Sequence, residues 1–204
     1  MGSPSAAAID ALLPQTQCTR CGYRDCAAYA GAIARDGAPI NRCPPGGATT
    51  IDALAALTGT TALPLDPDCG GPMAHAIAVV DEARCIGCTI CLQVCPVDAI
   101  VGAPRRMHAV LDAWCSGCEL CVAPCPVDCI GMRPAATPWS EADAALARDR
   151  HRERERRLAR GERIADRRAG GEVADDGERA RRLATVAAAV ERARARRARA
   201  ADVA

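Results

Sequence analysis

The feature that most constrains this chain is its 14 cysteines, twelve of which fall into three groups of four. A core of conventional size uses several large aromatic side chains. Here aromatic residues make up only 2% of the 204 residues, and phenylalanine is absent. The folded parts therefore need another source of stability, either disulfide bonds or bound metal, which argues against an ordinary α/β enzyme of this length. The groups are Cys18, Cys21, Cys26, Cys43; Cys85, Cys88, Cys91, Cys95; and Cys115, Cys118, Cys121, Cys125.

The choice between disulfides and metal depends on the compartment. The first residues lack both the basic and the apolar region of a secretory signal. No stretch approaches the roughly 18 apolar residues of a membrane-spanning helix. We therefore expect a cytoplasmic protein, with peripheral association on the cytoplasmic face of the inner membrane left open. In a reducing cytosol, dense cysteine indicates metal rather than disulfide bonds.

The second and third cysteine groups form an internal repeat. Residues 85–100 align with residues 115–130 at an offset of 30, and nine of the sixteen positions are identical. Each unit is expected to consist of a strand, a cysteine loop, a short helix after Cys-Pro and a return strand. One unit cannot bury a core alone, so the two are expected to pack as a pseudo-symmetric pair. The expected strands are 77–83, 99–102, 107–113 and 129–133.

Each repeat contains the run Cys-x2-Cys-x2-Cys-x3-Cys-Pro, which is typical of two-cluster ferredoxins. Three thiolates within seven residues bind one cluster, and the fourth cysteine of the run binds the other. Zinc prefers paired Cys-x2-Cys knuckles separated by longer loops, which does not match this spacing. The predicted [4Fe-4S] ligand sets are Cys85, Cys88, Cys91 and Cys125, and Cys115, Cys118, Cys121 and Cys95.

Residues 75–133 resemble bacterial-type two-[4Fe-4S] ferredoxins. The resemblance implies a small α+β domain with pseudo-twofold symmetry that carries single electrons. It also implies that the domain has no acid–base catalytic site of its own, since the chemistry happens in its partners.

The N-terminal group has spacings of two, four and sixteen residues between successive cysteines. From the spacing alone, a structural zinc site and a third [4Fe-4S] cluster both remain open. The segment 13–33, followed by Cys43-Pro-Pro-Gly-Gly, resembles the four-cysteine domain that precedes the ferredoxin pair in the B subunit of Rnf (Rsx) electron transport complexes. That resemblance implies a third [4Fe-4S] cluster. Its ligands would be Cys18, Cys21, Cys26 and Cys43.

The resemblance covers about residues 10–133 and includes all twelve ligand cysteines. Helices are then expected over 27–34, with Tyr29 and Ile33 beside the cluster, and over 51–58. Membrane-bound members of the family begin with a transmembrane helix that this sequence does not show, so we expect a short form without that anchor. In the family, the complex couples electron flow between reduced ferredoxin and NAD to ion translocation, or keeps a redox-sensing regulator reduced.

Five residues near the cysteine groups have simpler expectations. Cys69 lies among prolines and glycines and is expected to be an unligated thiol. Cys129 is expected to be a small buried residue, because both ligand sets are complete without it. His75 and His108 are expected at the surface beside strands. Trp114 directly precedes Cys115 and is expected to cover that cluster from water.

The chain changes character after residue 140. Residues 1–140 carry 8 Arg and 12 Asp or Glu, whereas residues 141–204 carry 18 Arg and 13 Asp or Glu. Helices are expected over 141–168 and 178–201. The extension could be solvated, dock on an acidic partner or lie on anionic lipid. We expect an α+β chain with a helical iron–sulfur domain over 1–62, a linker over 63–73, a two-[4Fe-4S] ferredoxin domain over 74–134 and an Arg/Ala-rich helical or partly disordered extension over 135–204.

The expected function is single-electron transfer through three [4Fe-4S] clusters, as the electron-carrying B subunit of an Rnf/Rsx-type ion-translocating oxidoreductase complex. The expected partners are other redox subunits of such a complex. The alternative is a stand-alone soluble polyferredoxin that donates electrons to another oxidoreductase. A third possibility is a structural or sensing module with redox-silent clusters. Nucleic acid is not expected as a partner, because the basic tail has no interleaved aromatic residues.

Overall fold

The computed structural model describes residues 4–170 and Ala184, with side chains described for 4–161 and 184. The chain divides into two compact units, residues 1–156 and 157–204. In the part of the chain that is described, no helix is both long and apolar enough to cross a membrane. Apart from Ala184, the helix expected over 178–201 lies outside the described residues.

Three helices form the N-terminal part: α1 (Ala6–Leu12), α2 (Cys26–Asp36) and α3 (Gly47–Thr58). The Asp25 side chain caps α2 by accepting a hydrogen bond from the Ala28 N–H at 2.6 Å. Gly37 ends α2 with a φ of 64°, a left-handed conformation that glycine adopts without strain. The helices predicted over 27–34 and 51–58 are confirmed as α2 and α3, while α1 was not predicted.

The core of this part is small and depends on Tyr29. Ile9, Tyr29 and Leu54 are almost completely buried, and each comes from a different helix. The Tyr29 hydroxyl donates to the Pro39 carbonyl at 2.7 Å and accepts from the Arg42 N–H at 3.1 Å. One phenol therefore fixes the loop that leads into Cys43.

Replacing Tyr29 with phenylalanine should destabilise this part by about 1–3 kcal/mol, because it leaves the Pro39 carbonyl and the Arg42 N–H without their partner. Anaerobic denaturation followed by circular dichroism measures the effect. The matched control is Tyr23→Phe, since the Tyr23 ring packs 5.2 Å from the Tyr29 ring and is only half-buried. Equal midpoints for the two variants would contradict this role of the hydroxyl.

The predicted linker over 63–73 packs against the N-terminal part. The Asp66 N–H donates to the Asn41 carbonyl at 2.8 Å, and the Met73 N–H donates to the Pro44 carbonyl at 3.3 Å. A short 3₁₀ helix, Pro67–Cys69, buries the Cys69 side chain. A side-chain hydrogen bond with Cys69 raises the pKa of the Arg42 guanidinium.

The repeat region folds into two antiparallel strand pairs. Strand β1 (Ala76–Val80) pairs with β4 (Ile130–Pro134), with Ala76 opposite Pro134 and Val80 opposite Ile130. Strand β2 (Ile100–Val101) pairs with β3 (Ala109–Val110). The predicted strands are thus confirmed in position, although the one expected over 107–113 is short and is followed by a 3₁₀ turn, Asp112–Trp114. With the helices, these small sheets make an α+β fold.

The prediction of a helix after each Cys-Pro is wrong. The short helix of the first repeat, α4 (Ile90–Val94), lies before Cys95. After each Cys-Pro the chain turns, because Asp98 and Asp128 adopt left-handed φ values of 51° and 46°. The next amide then donates to the preceding cysteine sulfur instead of a helical carbonyl. Ala99 N–H lies 3.2 Å from Cys95 Sγ, and Cys129 N–H lies 3.4 Å from Cys125 Sγ.

Gly87 and Gly117 occupy equivalent positions in the two cysteine loops, and both have a φ of 70°. A Cβ at Gly87 would lie 2.5 Å from the Arg106 N atom, and one at Gly117 would lie 2.5 Å from the Ala76 carbonyl oxygen. Each loop therefore packs directly against the backbone of the other repeat, which only glycine permits.

The helix predicted over 141–168 is confirmed as α5 (Glu141–Gly170). The Ser140 hydroxyl accepts from the Asp143 N–H at 3.2 Å and so begins the helix. Ala147 is buried in the core of the repeat region, and His151 Nδ1 lies 3.0 Å from the Pro96 carbonyl oxygen. The first turns of α5 therefore pack on the cysteine-rich part of the same unit.

Candidate metal centres

The first cavity, counted together with the space at its opening to solvent, has a volume of about 290 Å³ and is lined by the four N-terminal cysteines. Two of the thiols come from the loop between α1 and α2, one from the first residue of α2 and one from the turn before α3. Leu13, Tyr29 and Pro44 complete the apolar lining. The structure thus brings together the whole predicted set, Cys18, Cys21, Cys26 and Cys43.

Two buried glutamines hold the first cysteine loop. Gln17 Oε1 accepts from the Cys26 N–H at 2.9 Å, and Gln17 Nε2 donates to Gln15 Oε1 at 2.9 Å. Gln15 Nε2 in turn donates to Asp10 Oδ1 at 2.9 Å. Gln15, Gln17 and Thr19 have left-handed φ values of 56°, 56° and 61°. Non-glycine residues hold this conformation only where their surroundings enforce it, and the side-chain network does so at Gln15 and Gln17.

Two further cavities lie in the repeat region, with volumes of about 290 and 310 Å³. Each contains three cysteines of one repeat and the fourth cysteine of the other. The structure therefore places all eight predicted ligands in the predicted combinations. The smaller is lined by Cys85, Cys88, Cys91 and Cys125, and the larger by Cys95, Cys115, Cys118 and Cys121.

Cys129 also lines the smaller of these cavities. It is 5% exposed, in agreement with the expected small buried residue, and its Sγ lies 3.5 Å from Cys125 Sγ. Cys69 is likewise buried but is not among the residues that line the three cavities in the described part of the chain.

Burial raises the pKa of several of these thiols. It raises the pKa of Cys43, Cys118 and Cys121 to about 12. It also raises the pKa of Cys26 well above the ordinary value. Without bound cations, these sulfurs would be neutral thiols at neutral pH. Metal loading must therefore displace their protons, as it does when thiolates become ligands.

The linings fit iron–sulfur clusters by the chemistry of their donors. At least four sulfurs line each cavity, and backbone amides point at some of them, as the Ala78 N–H does at 3.5 Å from Cys115 Sγ. Among the described residues, no group of three or more His, Cys, Asp or Glu side chains has an arrangement that could hold a single metal ion.

The expectation that both histidines lie at the surface is wrong. His108 is 2% exposed, and its Nδ1 lies 3.2 Å from Cys91 Sγ. His75 is half-buried, with its ring 4.5 Å from the Trp139 ring. Trp114 does not line the cavity of Cys115; it is 39% exposed and lies under the Arg150 guanidinium at 3.7 Å. Sequence reasoning missed the burial of His108 because this residue lies in a short apolar β-prone run. It missed the contact between Trp114 and Arg150 because the two residues are distant in sequence.

Specific contacts join the first cavity to the cavity of Cys95, Cys115, Cys118 and Cys121, which we call the Cys115 group. The Ser116 hydroxyl donates to the Thr16 carbonyl at 2.9 Å, which links the two cysteine loops directly. Arg20 and Glu119 form an ion pair between the same loops. Trp139 Nε1 donates to the Pro14 carbonyl at 2.8 Å. These contacts hold the N-terminal site next to the site of the Cys115 group.

Two protein-family models match the cysteine-rich regions. One, described as "4Fe-4S dicluster domain", matches residues 78–132, and the other, described as "Putative Fe-S cluster", matches residues 13–45. The chain therefore carries iron–sulfur domains in both regions where the structure places cysteine-lined cavities.

Several curated relatives are similar to this chain, and each is named as the B subunit of an ion-translocating oxidoreductase complex. The Erwinia tasmaniensis protein is 56% identical over 134 residues, which are 66% of this chain and 70% of the relative. The Alkalilimnicola ehrlichii protein is 57% identical over 111 residues, 54% of this chain and 60% of the relative. The Thiobacillus denitrificans protein is 55% identical over 110 residues, 54% of this chain and 58% of the relative. The chain thus spans about 60% of the length of the latter two.

Proposed function

Because this chain belongs to the family of B subunits of ion-translocating oxidoreductase complexes, we propose that it is the iron–sulfur electron-transfer subunit of such a complex. The observation that carries the proposal is the sorting of the twelve predicted ligand cysteines into three cavities, four to each, with Cys129 as an additional thiol in one of them. When bound, a [4Fe-4S] cluster takes up and gives back one electron. The chain's part is to hold, bury and connect three such groups.

The proposed ligands follow the cavity linings. Cys18, Cys21, Cys26 and Cys43 would hold one cluster. In the repeat region, the crossed sets would hold two more: Cys85, Cys88, Cys91 and Cys125 on one side, and Cys115, Cys118, Cys121 and Cys95 on the other. Support for a cluster rather than zinc at the N-terminal site comes from the family model described as "Putative Fe-S cluster", which matches residues 13–45.

The repeat region is proposed to be a pseudo-twofold ferredoxin domain. The 30-residue offset relates Gly87 to Gly117, and both have the same φ. It also relates Asp98 to Asp128, which have similar left-handed φ values. The strand pairing supports the same symmetry. Strand β1 at the start of the first repeat pairs with β4 at the end of the second, and β3 at the start of the second repeat pairs with β2 at the end of the first.

The proposed partners are the other redox subunits of the complex, and the proposed location is the cytoplasmic side of the membrane that holds them. The Arg20–Glu119 pair and the Ser116–Thr16 hydrogen bond support a fixed neighbourhood of the first and third sites. We call Cys85, Cys88, Cys91 and Cys125 the Cys85 group. In that arrangement, the path of contacts from the N-terminal site to the Cys85 group passes through the Cys115 group.

Gentle anaerobic fractionation of native cells, followed by affinity capture of this protein, tests the proposal. We expect co-purification with multi-spanning membrane subunits and about twelve iron atoms per chain, four for each cluster. An untagged strain is the control for non-specific capture. Capture of a single soluble redox enzyme, with the membrane subunits absent, would contradict the complex and support a stand-alone polyferredoxin.

A further inference from the structure

One buried imidazole distinguishes the cavity of the Cys85 group from that of the Cys115 group. His108 lines the first of these cavities, is 2% exposed and has its Nδ1 at 3.2 Å from Cys91 Sγ. Its Nε2 is also buried and has no hydrogen-bond partner in the described part of the chain. A buried polar atom without a partner is uncommon in a native structure and calls for a functional explanation.

The direction of the Nδ1 contact follows from the chemistry of the sulfur. This step rests on the proposed function, in which Cys91 binds iron as a thiolate. A thiolate has no proton to donate, so the shared hydrogen must be on His108 Nδ1 and the sulfur accepts it. Both the neutral Nδ1–H tautomer and the imidazolium can donate in this way.

The repeat shows that this donor is one-sided. The residue 30 positions before His108 is Ala78, which lies opposite Met132 in the β1–β4 register. One step beyond the β2–β3 register, His108 comes opposite Gly102. A Cβ at Gly102 would lie 2.1 Å from His108 Cδ2, so the glycine leaves the space that the ring fills. In one strand pair the small residue Ala78 faces the large residue Met132, and in the other the large residue His108 faces the small residue Gly102. Only the second pair therefore places an imidazole against a ligand sulfur.

We propose that His108 is a positioning residue that raises the reduction potential of the cluster held by the Cys85 group. Hydrogen bonds to the sulfurs are among the factors that set cluster potentials. An added electron increases the negative charge on the ligand sulfurs, so a donor aimed at one of them stabilises the reduced form more than the oxidised form. Two sites built from the same repeat would in this way have different potentials.

The test compares two variants of the full-length chain, purified anaerobically. His108→Leu removes the donor while keeping an apolar side chain in the cavity. His108→Asn retains an N–H donor that can occupy the position of Nδ1. Iron content and an EPR-monitored redox titration are measured for the wild type and both variants at one pH.

The expected result is about twelve iron atoms in all three proteins. One of the three one-electron waves should shift to a more negative potential in His108→Leu, and it should return toward its original position in His108→Asn. Three unchanged waves in a fully loaded His108→Leu protein would overturn the inference, as would equal shifts in both variants. Loss of iron from both variants would also overturn it, because His108 would then serve assembly. A wild-type chain without iron would instead overturn the proposed function.

Discussion

A Cys43→Ala variant is expected to lose one third of the bound iron, about four of twelve atoms, while both clusters of the repeat region remain. Cys43 is the ligand most distant in sequence from the rest of its group, and its thiol is 6% exposed inside the N-terminal cavity. With three thiols left, the site cannot complete the four-cysteine ligation of a [4Fe-4S] cluster. Iron and acid-labile sulfide analysis measures the loss, and EPR of the reduced protein shows which signals persist.

Cys69→Ala is the matched control for that variant. Cys69 is 5% exposed, next to Arg42 in the same part of the chain, but it does not line the described cavity of the N-terminal cysteines. The control should therefore keep about twelve iron atoms. Full iron content in Cys43→Ala, or the same loss in both variants, would contradict the assignment of the N-terminal ligands.

The second large effect concerns the crossed ligand sets. Replacing Cys125 should abolish the cluster that it holds with Cys85, Cys88 and Cys91, although in sequence Cys125 belongs to the run of Cys115, Cys118 and Cys121. Because Cys129 Sγ lies 3.5 Å from Cys125 Sγ in the same cavity, the variant carries both Cys125→Ala and Cys129→Ala. The expected loss is again about four iron atoms. Alkylation followed by mass spectrometry should then find Cys85, Cys88 and Cys91 reactive.

Cys129→Ala alone is the control, and it should retain all of its iron and its protected thiols. In the double variant, Cys115, Cys118 and Cys121 should stay protected, since their fourth ligand is Cys95. The opposite pattern, with the Cys115 group reactive and the Cys85 group protected, would show that each sequential run of four holds its own cluster.

Most of the site was predictable from the sequence because ligand spacing is local and the repeat duplicates it. The assignment of Cys125 to the first repeat and Cys95 to the second came from the motif alone, and the cavities contain those combinations. Helices α2 and α3 were expected from the resemblance of this region to the four-cysteine domain, and each of them ends at a glycine. The ligands of each proposed cluster lie within one stretch of the chain, the longest running from Cys85 to Cys125.

The parts that sequence reasoning missed depend on contacts across the fold. Nothing in the sequence separates Gln15 and Gln17 from ordinary loop residues. In the structure both are buried, with Gln15 bonded to Asp10 and Gln17 bonded to the Cys26 amide. His108 faces Cys91 only because the β2–β3 pair forms and Gly102 leaves room for the ring. The helix expected after each Cys-Pro fails because the chain uses the amides there to bond cysteine sulfurs.

The most direct test of the central claim is a reductive titration of the anaerobically purified full-length chain, with iron, zinc and sulfide counted on the same sample. Three [4Fe-4S] clusters predict about twelve iron atoms, about twelve sulfides and the uptake of about three electrons per chain. About eight iron atoms with one zinc, or full iron content without electron uptake, would contradict the proposal that this protein is a three-cluster electron carrier.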